Sequence, residues 1–160
     1  MLNGFSKLFA MTGWRLGYLL APKEFVRAVQ KIQQNFFICA NNFVQWGGVA
    51  ALKEAGPDTL KMKAIYNARR KALLKGLREI GFGVTVEPTG AFYVLANARK
   101  FGQDSYKLAF DILEHAKVAV TPGIDFGTNG EGYIRFSYAN SLERIQEGLS
   151  RIENYLKQRN

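Results

Sequence analysis

Lys7 and Arg15 stand eight positions apart in the stretch Gly4-Phe5-Ser6-Lys7-Leu8-Phe9-Ala10-Met11-Thr12-Gly13-Trp14-Arg15-Leu16-Gly17. A lysine amine can condense with a carbonyl carbon, and an arginine is a permanently charged, forked ligand for phosphate. Together in one glycine-interrupted segment they suit a ligand that carries both an aldehyde and a phosphate. Ser6 adds a hydroxyl that could reach the same phosphate. A second candidate is Arg135, in the run Tyr133-Ile134-Arg135-Phe136-Ser137. A charge between apolar strand neighbours is costly unless it meets an anion or faces solvent. Phe92 and Tyr93, in a strand-like segment, either line a substrate pocket or belong to the core. His115 has no second histidine or paired carboxylate near it in sequence, so neither a metal site nor a nucleophilic triad is expected there.

The elements that must position these residues follow from periodicity and turn signals. Leu16 to Ala21 is a short apolar run ending at Pro22, expected as a buried strand. Phe25, Val26, Val29 and Ile32 recur at helical spacing, giving a helix over about 23–35. Phe43 to Glu54 is a second helix, rich in small residues that admit a close neighbour, either a larger body or a second subunit. Gly56-Pro57 marks a boundary, and Asp58 to Ile80 reads as a long helix with Met62, Ile65, Tyr66, Leu73, Leu77 and Ile80 on one face. Gly81 sits at its C-cap position.

Beyond Gly81 the period changes to two. Strands are expected at 84–87, 91–95, 118–121 and 133–137, with a helix capped by Asp104 between the second and third. A last helix opens at Asn140 and carries Leu142, Ile145, Leu149, Ile152 and Leu156. The order ββαββα describes a small two-layer α/β domain.

The residues from Gly4 to Gly17 resemble the lysine-attachment signature of the class I and II aminotransferases, the fold-type I pyridoxal-phosphate enzymes. Gly90-Ala91-Phe92-Tyr93, Val120 to Gly127 and Tyr133 to Ser137 resemble later segments of the same family, in the same order. The resemblance covers essentially the whole chain and implies an α/β fold: the C-terminal portion of the fold-type I transferase fold. On that reading 1–56 is a remnant of the large cofactor-binding domain, 57–81 the interdomain helix and 82–160 the small domain.

The resemblance also implies roles. Lys7 is the catalytic, cofactor-attaching lysine; Ser6 and Arg15 bind the phosphate of pyridoxal 5'-phosphate; Arg135 grips the substrate α-carboxylate, with Phe92 beside it. Gly4 stands where many relatives carry a hydroxyl side chain, at a loss on the order of 1 kcal/mol for one hydrogen bond. Asn41 and Asn42 fall in the region that reaches a neighbouring subunit in the family, which implies a homodimer. The likeness is to aspartate aminotransferases, yet no arginine lies between Arg27 and Arg69 to select a second substrate carboxylate. The implied substrates are an amino acid and a 2-oxo acid. The groups that stack on and hydrogen-bond the cofactor ring belong to an N-terminal portion that none of these segments matches, so the chain by itself is expected to be an inactive fragment. A lyase of the same fold, or a non-catalytic module that self-associates or binds anions, is the alternative.

Composition is compatible with this. The chain has 160 residues, 48% hydrophobic and 22% charged, with no apolar run near the roughly 18 residues of a membrane helix and no signal-peptide pattern. The single Cys39 suits a reducing, cytoplasmic setting. The net charge of +9 owes much to Lys61, Lys63, Arg69, Arg70, Lys71, Lys75 and Arg78. These read as the solvated face of one helix rather than a nucleic-acid surface.

Overall fold

The lysine stretch is closed at its base by an antiparallel pair of strands. In the computed structural model, which describes residues 1–159, β1 (Leu2–Gly4) pairs with β2 (Gly17–Leu19), and Gly4 stands directly opposite Gly17. The four-residue helix α1 (Phe5–Leu8) and a 3-10 turn at Thr12–Trp14 fill the loop between them. The strand expected over Leu16–Ala21 is therefore shorter, and it is not buried: Leu19 and Leu20 are exposed. A two-stranded ribbon by itself buries little apolar surface.

Helix α2 (Lys23–Phe36) begins after Pro22, as its start signals indicate. Its apolar stripe is real in register, but no residue of α2 is buried among the described residues. Helix α3 (Asn42–Glu54) does pack, through Val44 and Gly48. The close neighbour admitted by its glycines is the chain's own lysine loop. A Cβ on Gly47 would lie 2.5 Å from the Trp14 ring, and one on Gly48 would lie 2.5 Å from Leu16 and 3.3 Å from Phe5. With Phe5 and Met11 also buried, this is the small core of the first of two compact units, Met1–Lys63 and Ala64–Asn160.

Helix α4 (Gly56–Ile80) buries Leu73, Leu74 and Leu77 near its C-terminal end, whereas Leu60 and Ile65 are exposed. It ends as Gly81 predicts. The Gly81 backbone has φ +108°, its N–H reaches the Arg78 carbonyl at 3.1 Å, and the Phe82 N–H reaches the Leu77 carbonyl at 2.9 Å. These are the paired bonds of a Schellman cap, and they carry Phe82 into the core.

The second unit is a two-layer α/β structure. Strands β3 (Tyr93–Asn97), β4 (Thr121–Pro122) and β5 (Tyr133–Ser137) form an antiparallel sheet in the order β3-β5-β4. Val94, Ala96, Ile134 and Phe136 point into a core shared with α4, with α5 (Ser105–Asp111) and its π-helical continuation Ile112–Ala116, and with α6 (Leu142–Arg159). Asp104 caps α5, its carboxylate accepting the Lys107 N–H at 2.8 Å. At α6 the capping side chain is Ser141, which accepts the Arg144 N–H at 3.3 Å; Asn140 instead accepts the Ser141 N–H.

The expected order ββαββα is realised as βαββα. The strand expected at 84–87 is reduced to a single bridge between Gly83 and Asn97. Past that bridge the chain turns toward α4, where Glu87 takes Arg78 at 2.6 Å and Arg70 at 3.4 Å. The strand expected at 118–121 is found only at Thr121–Pro122, paired with Arg135 and Ile134 of β5. No described helix is long and apolar enough to cross a membrane.

Candidate functional site

Lys7 occupies the last turn of α1 and is exposed, while Phe5, two residues earlier, is almost fully buried. Phe5 is the anchor: its N–H binds the Leu16 carbonyl at 3.1 Å, and its ring touches Phe9 and Tyr18 at centroid distances of 5.4 and 5.5 Å. An apolar side chain thus pins the short helix that carries the lysine. Four residues cannot form a stable helix alone, so tertiary contacts hold this one.

Arg15 follows the 3-10 turn in the left-handed region, with φ 53° and ψ 44°. It is exposed, and its Nη1 donates to the Thr12 carbonyl at 2.9 Å. A side chain with a Cβ is disfavoured in that conformation, and so is Ala10 at φ 53°. Both deviations sit in the loop that carries the lysine. Ser6 is half-buried on the same loop. An amine, a guanidinium and a hydroxyl on one closed loop are a donor set that fits an aldehyde-bearing phosphate.

Arg135 belongs to the second unit, at the centre of the sheet, directly opposite Leu95 on β3 and Thr121 on β4. It lies on the face away from the core. Its Nη2 donates to Thr121 Oγ1 at 3.1 Å, and its guanidinium carbon lies over the Tyr93 ring at 4.3 Å and the Phe126 ring at 4.6 Å. Among the described residues no carboxylate forms an ion pair with it. A half-buried cation stabilised by two ring faces and one hydroxyl retains both its charge and several N–H donors for an anion.

Of the two aromatics singled out from the sequence, Tyr93 is the one against Arg135. Phe92 is half-buried and packs its ring on Tyr66 and Tyr93, at 6.0 and 4.3 Å. Thr121 and Phe126 emerge from the structure alone. The pairing register of two strands brings Thr121 opposite Arg135, and a folded loop brings Phe126. His115 stacks on Tyr155 at 5.3 Å, with Nδ1 against the Asp111 carbonyl at 2.9 Å.

The chain is mixed α/β, with a closed loop that carries Lys7 in the first unit and a sheet that carries Arg135 in the second. The aminotransferase class I and II family model matches residues 1–152, and the chain belongs to that family. It is 44% identical over 157 residues to (5-formylfuran-3-yl)methyl phosphate transaminase of Methanocaldococcus jannaschii, covering 98% of this chain and 41% of that protein. It is 42% identical over 159 residues to an aspartate aminotransferase of Pyrococcus horikoshii, again covering 98% and 41%. The crystal structure of the aromatic aminotransferase of Pyrococcus horikoshii superposes with a TM-score of 0.93 at 42% identity, over 99% of this chain and 42% of that one. The chain thus spans about two fifths of the length of the relatives it matches.

Proposed function

We propose that this chain is part of a pyridoxal-phosphate-dependent aminotransferase that exchanges an amino group between an α-amino acid and a 2-oxo acid. The observation that supports the reading is the loop closed at Gly4 and Gly17, a single short segment that carries Ser6, Lys7 and Arg15. The cofactor, when bound, supplies a reactive carbonyl and a ring that takes up the electron pair released at the substrate α-carbon. Lys7 would hold it through Nζ and would carry a proton to or from that α-carbon. Arg15 and Ser6 bind the phosphate and fix its orientation. Arg135 binds the substrate carboxylate through its remaining N–H donors. Groups that engage the ring are needed as well, and the 160-residue chain alone is expected to bind the cofactor weakly and turn over nothing.

Reduction with borohydride in the presence of pyridoxal phosphate, followed by mapping of modified lysines, tests the assignment. Lys7 should be labelled ahead of every other lysine, and a Lys7→Ala variant should lose that adduct alone. Uniform labelling of all lysines would reject Lys7 as the attachment point.

Self-association is a second reading, which the exposure of Leu19, Leu20, Phe36, Phe37, Ile38 and Phe43 favours. It accords with a homodimer working in the cytoplasm; light scattering at increasing concentration tests it, and a monomer throughout would reject it. A nucleic-acid role finds less support, because Arg70 and Arg78 are committed to Glu87.

A further inference from the structure

Phe126 lies in the loop that follows β4, and its ring is half exposed, yet it rests against the Arg135 guanidinium. Nothing in its own exposure holds it there; the loop does. At the base of the loop Gly123 and Gly130 meet backbone to backbone, so closely that a Cβ on either would collide with the other's carbonyl oxygen. The next residue, Ile124, donates its N–H to Oγ of Ser105 at 3.2 Å, and Ser105 is completely buried at the start of α5. Ser105 in turn donates its own N–H to Glu131 Oε1 at 2.6 Å, and the same oxygen accepts the Gly132 N–H at 2.9 Å. Glu131 and Gly132 lie between the loop and β5. The carboxylate therefore ties the far end of the loop to the start of α5, and Ser105 ties the near end to the same point. Phe126 is carried between two anchored ends.

Resting on the reading of Arg135 as the site for a substrate carboxylate, we propose that Phe126, latched in place by Ser105 and Glu131, is a positioning residue. It sets the pose of the Arg135 guanidinium and thereby the affinity for the carboxylate. Thr121 fixes one N–H of the arginine and Tyr93 supplies a ring from β3, so the strands determine two of its contacts. The third comes from a loop, and a bidentate carboxylate contact is sensitive to how the fork is tilted. The latch is what holds that third contact in place.

The side-chain Nε–H signal of Arg135, identified by its loss in Arg135→Lys, reports both pose and ligand. Propionate is the probe, titrated into the whole chain. In the wild type, propionate should move that signal, and in Arg135→Lys binding should be lost. Phe126→Leu should shift the free-state signal downfield, as ring shielding is removed, and weaken propionate about three- to tenfold. Phe126→Tyr should restore both. Glu131→Gln, which keeps the shape but weakens the acceptor, should shift the signal in the same direction by less. Because Phe126 is half exposed, its substitutions should leave the thermal midpoint unchanged, which separates positioning from folding. If propionate leaves the wild-type signal unmoved, or binds Arg135→Lys equally, the carboxylate reading itself falls. If Arg135 proves necessary while Phe126→Leu and Glu131→Gln match the wild type in signal and affinity, the reading stands and the positioning role is overturned.

Discussion

Gly123 and Gly130 are in direct backbone contact: a Cβ on Gly123 would lie 2.0 Å from the Gly130 carbonyl oxygen, and one on Gly130 would lie 2.1 Å from that of Gly123. A flexible side-chain end could move aside, but backbone on both sides cannot without opening the loop. Gly130→Ala is therefore expected to destabilise the second unit by about 3 kcal/mol, the upper part of the range for overpacking. Urea denaturation followed by far-UV circular dichroism measures it, and an unchanged midpoint would show that the loop base yields.

In the first unit the corresponding close approach is between helix and loop. Gly48 is buried beneath Leu16 and Phe5. Gly48→Val gains a little helix propensity and loses more by overpacking, for a net cost of about 2 kcal/mol. Both tryptophans, Trp14 and Trp46, lie in this unit, so fluorescence reads its unfolding. A loss confined to far-UV signals would contradict the packing.

Along α4 the same residue type has opposite consequences at two positions. Leu77 is completely buried and Leu60 is two-thirds exposed. Leu77→Ala should cost about 3 kcal/mol and Leu60→Ala less than about 0.5 kcal/mol in the chain as it stands. Equal effects would mean that the N-terminal half of α4 is covered in solution.

Two carboxylates make stability depend on acid. Hydrogen bonds from the Ser105 and Gly132 N–H groups hold Glu131 below the usual carboxylate range, and the Arg78 guanidinium, seconded by Arg70, does the same for Glu87. A depressed folded-state value means that the unfolded chain takes up protons first. The stabilisation is thus present above the ordinary value of 4.5 and is lost as pH falls through the folded-state values. Glu131→Gln/Glu87→Gln should be less stable than the wild type near neutrality, and the gap should close below about pH 4.5, as measured by thermal midpoints across the acid range. A gap that stays constant with pH would reject the linkage.

Local chemistry determines much of this protein independently of packing. Pro22 starts α2, Gly81 ends α4, Asp104 caps α5, and the alternation around Arg135 marks β5, because each depends on neighbours within about four residues. The lysine stretch was legible for the same reason: Lys7, Arg15 and the glycines that close the loop lie within one short segment. Periodicity also located the apolar stripe of α2, but a stripe states only that a helix has a face, not that something covers it. Only the tertiary structure decided that Gly47 and Gly48 receive the lysine loop, that Glu87 pairs with Arg78 and Arg70 of α4, and that Thr121 and Phe126 meet Arg135. Each of these joins residues from nine to more than thirty positions apart. Contacts at that separation depend on where whole elements dock and on the pairing register of the strands. No window of the sequence contains both partners with the geometry that brings them together.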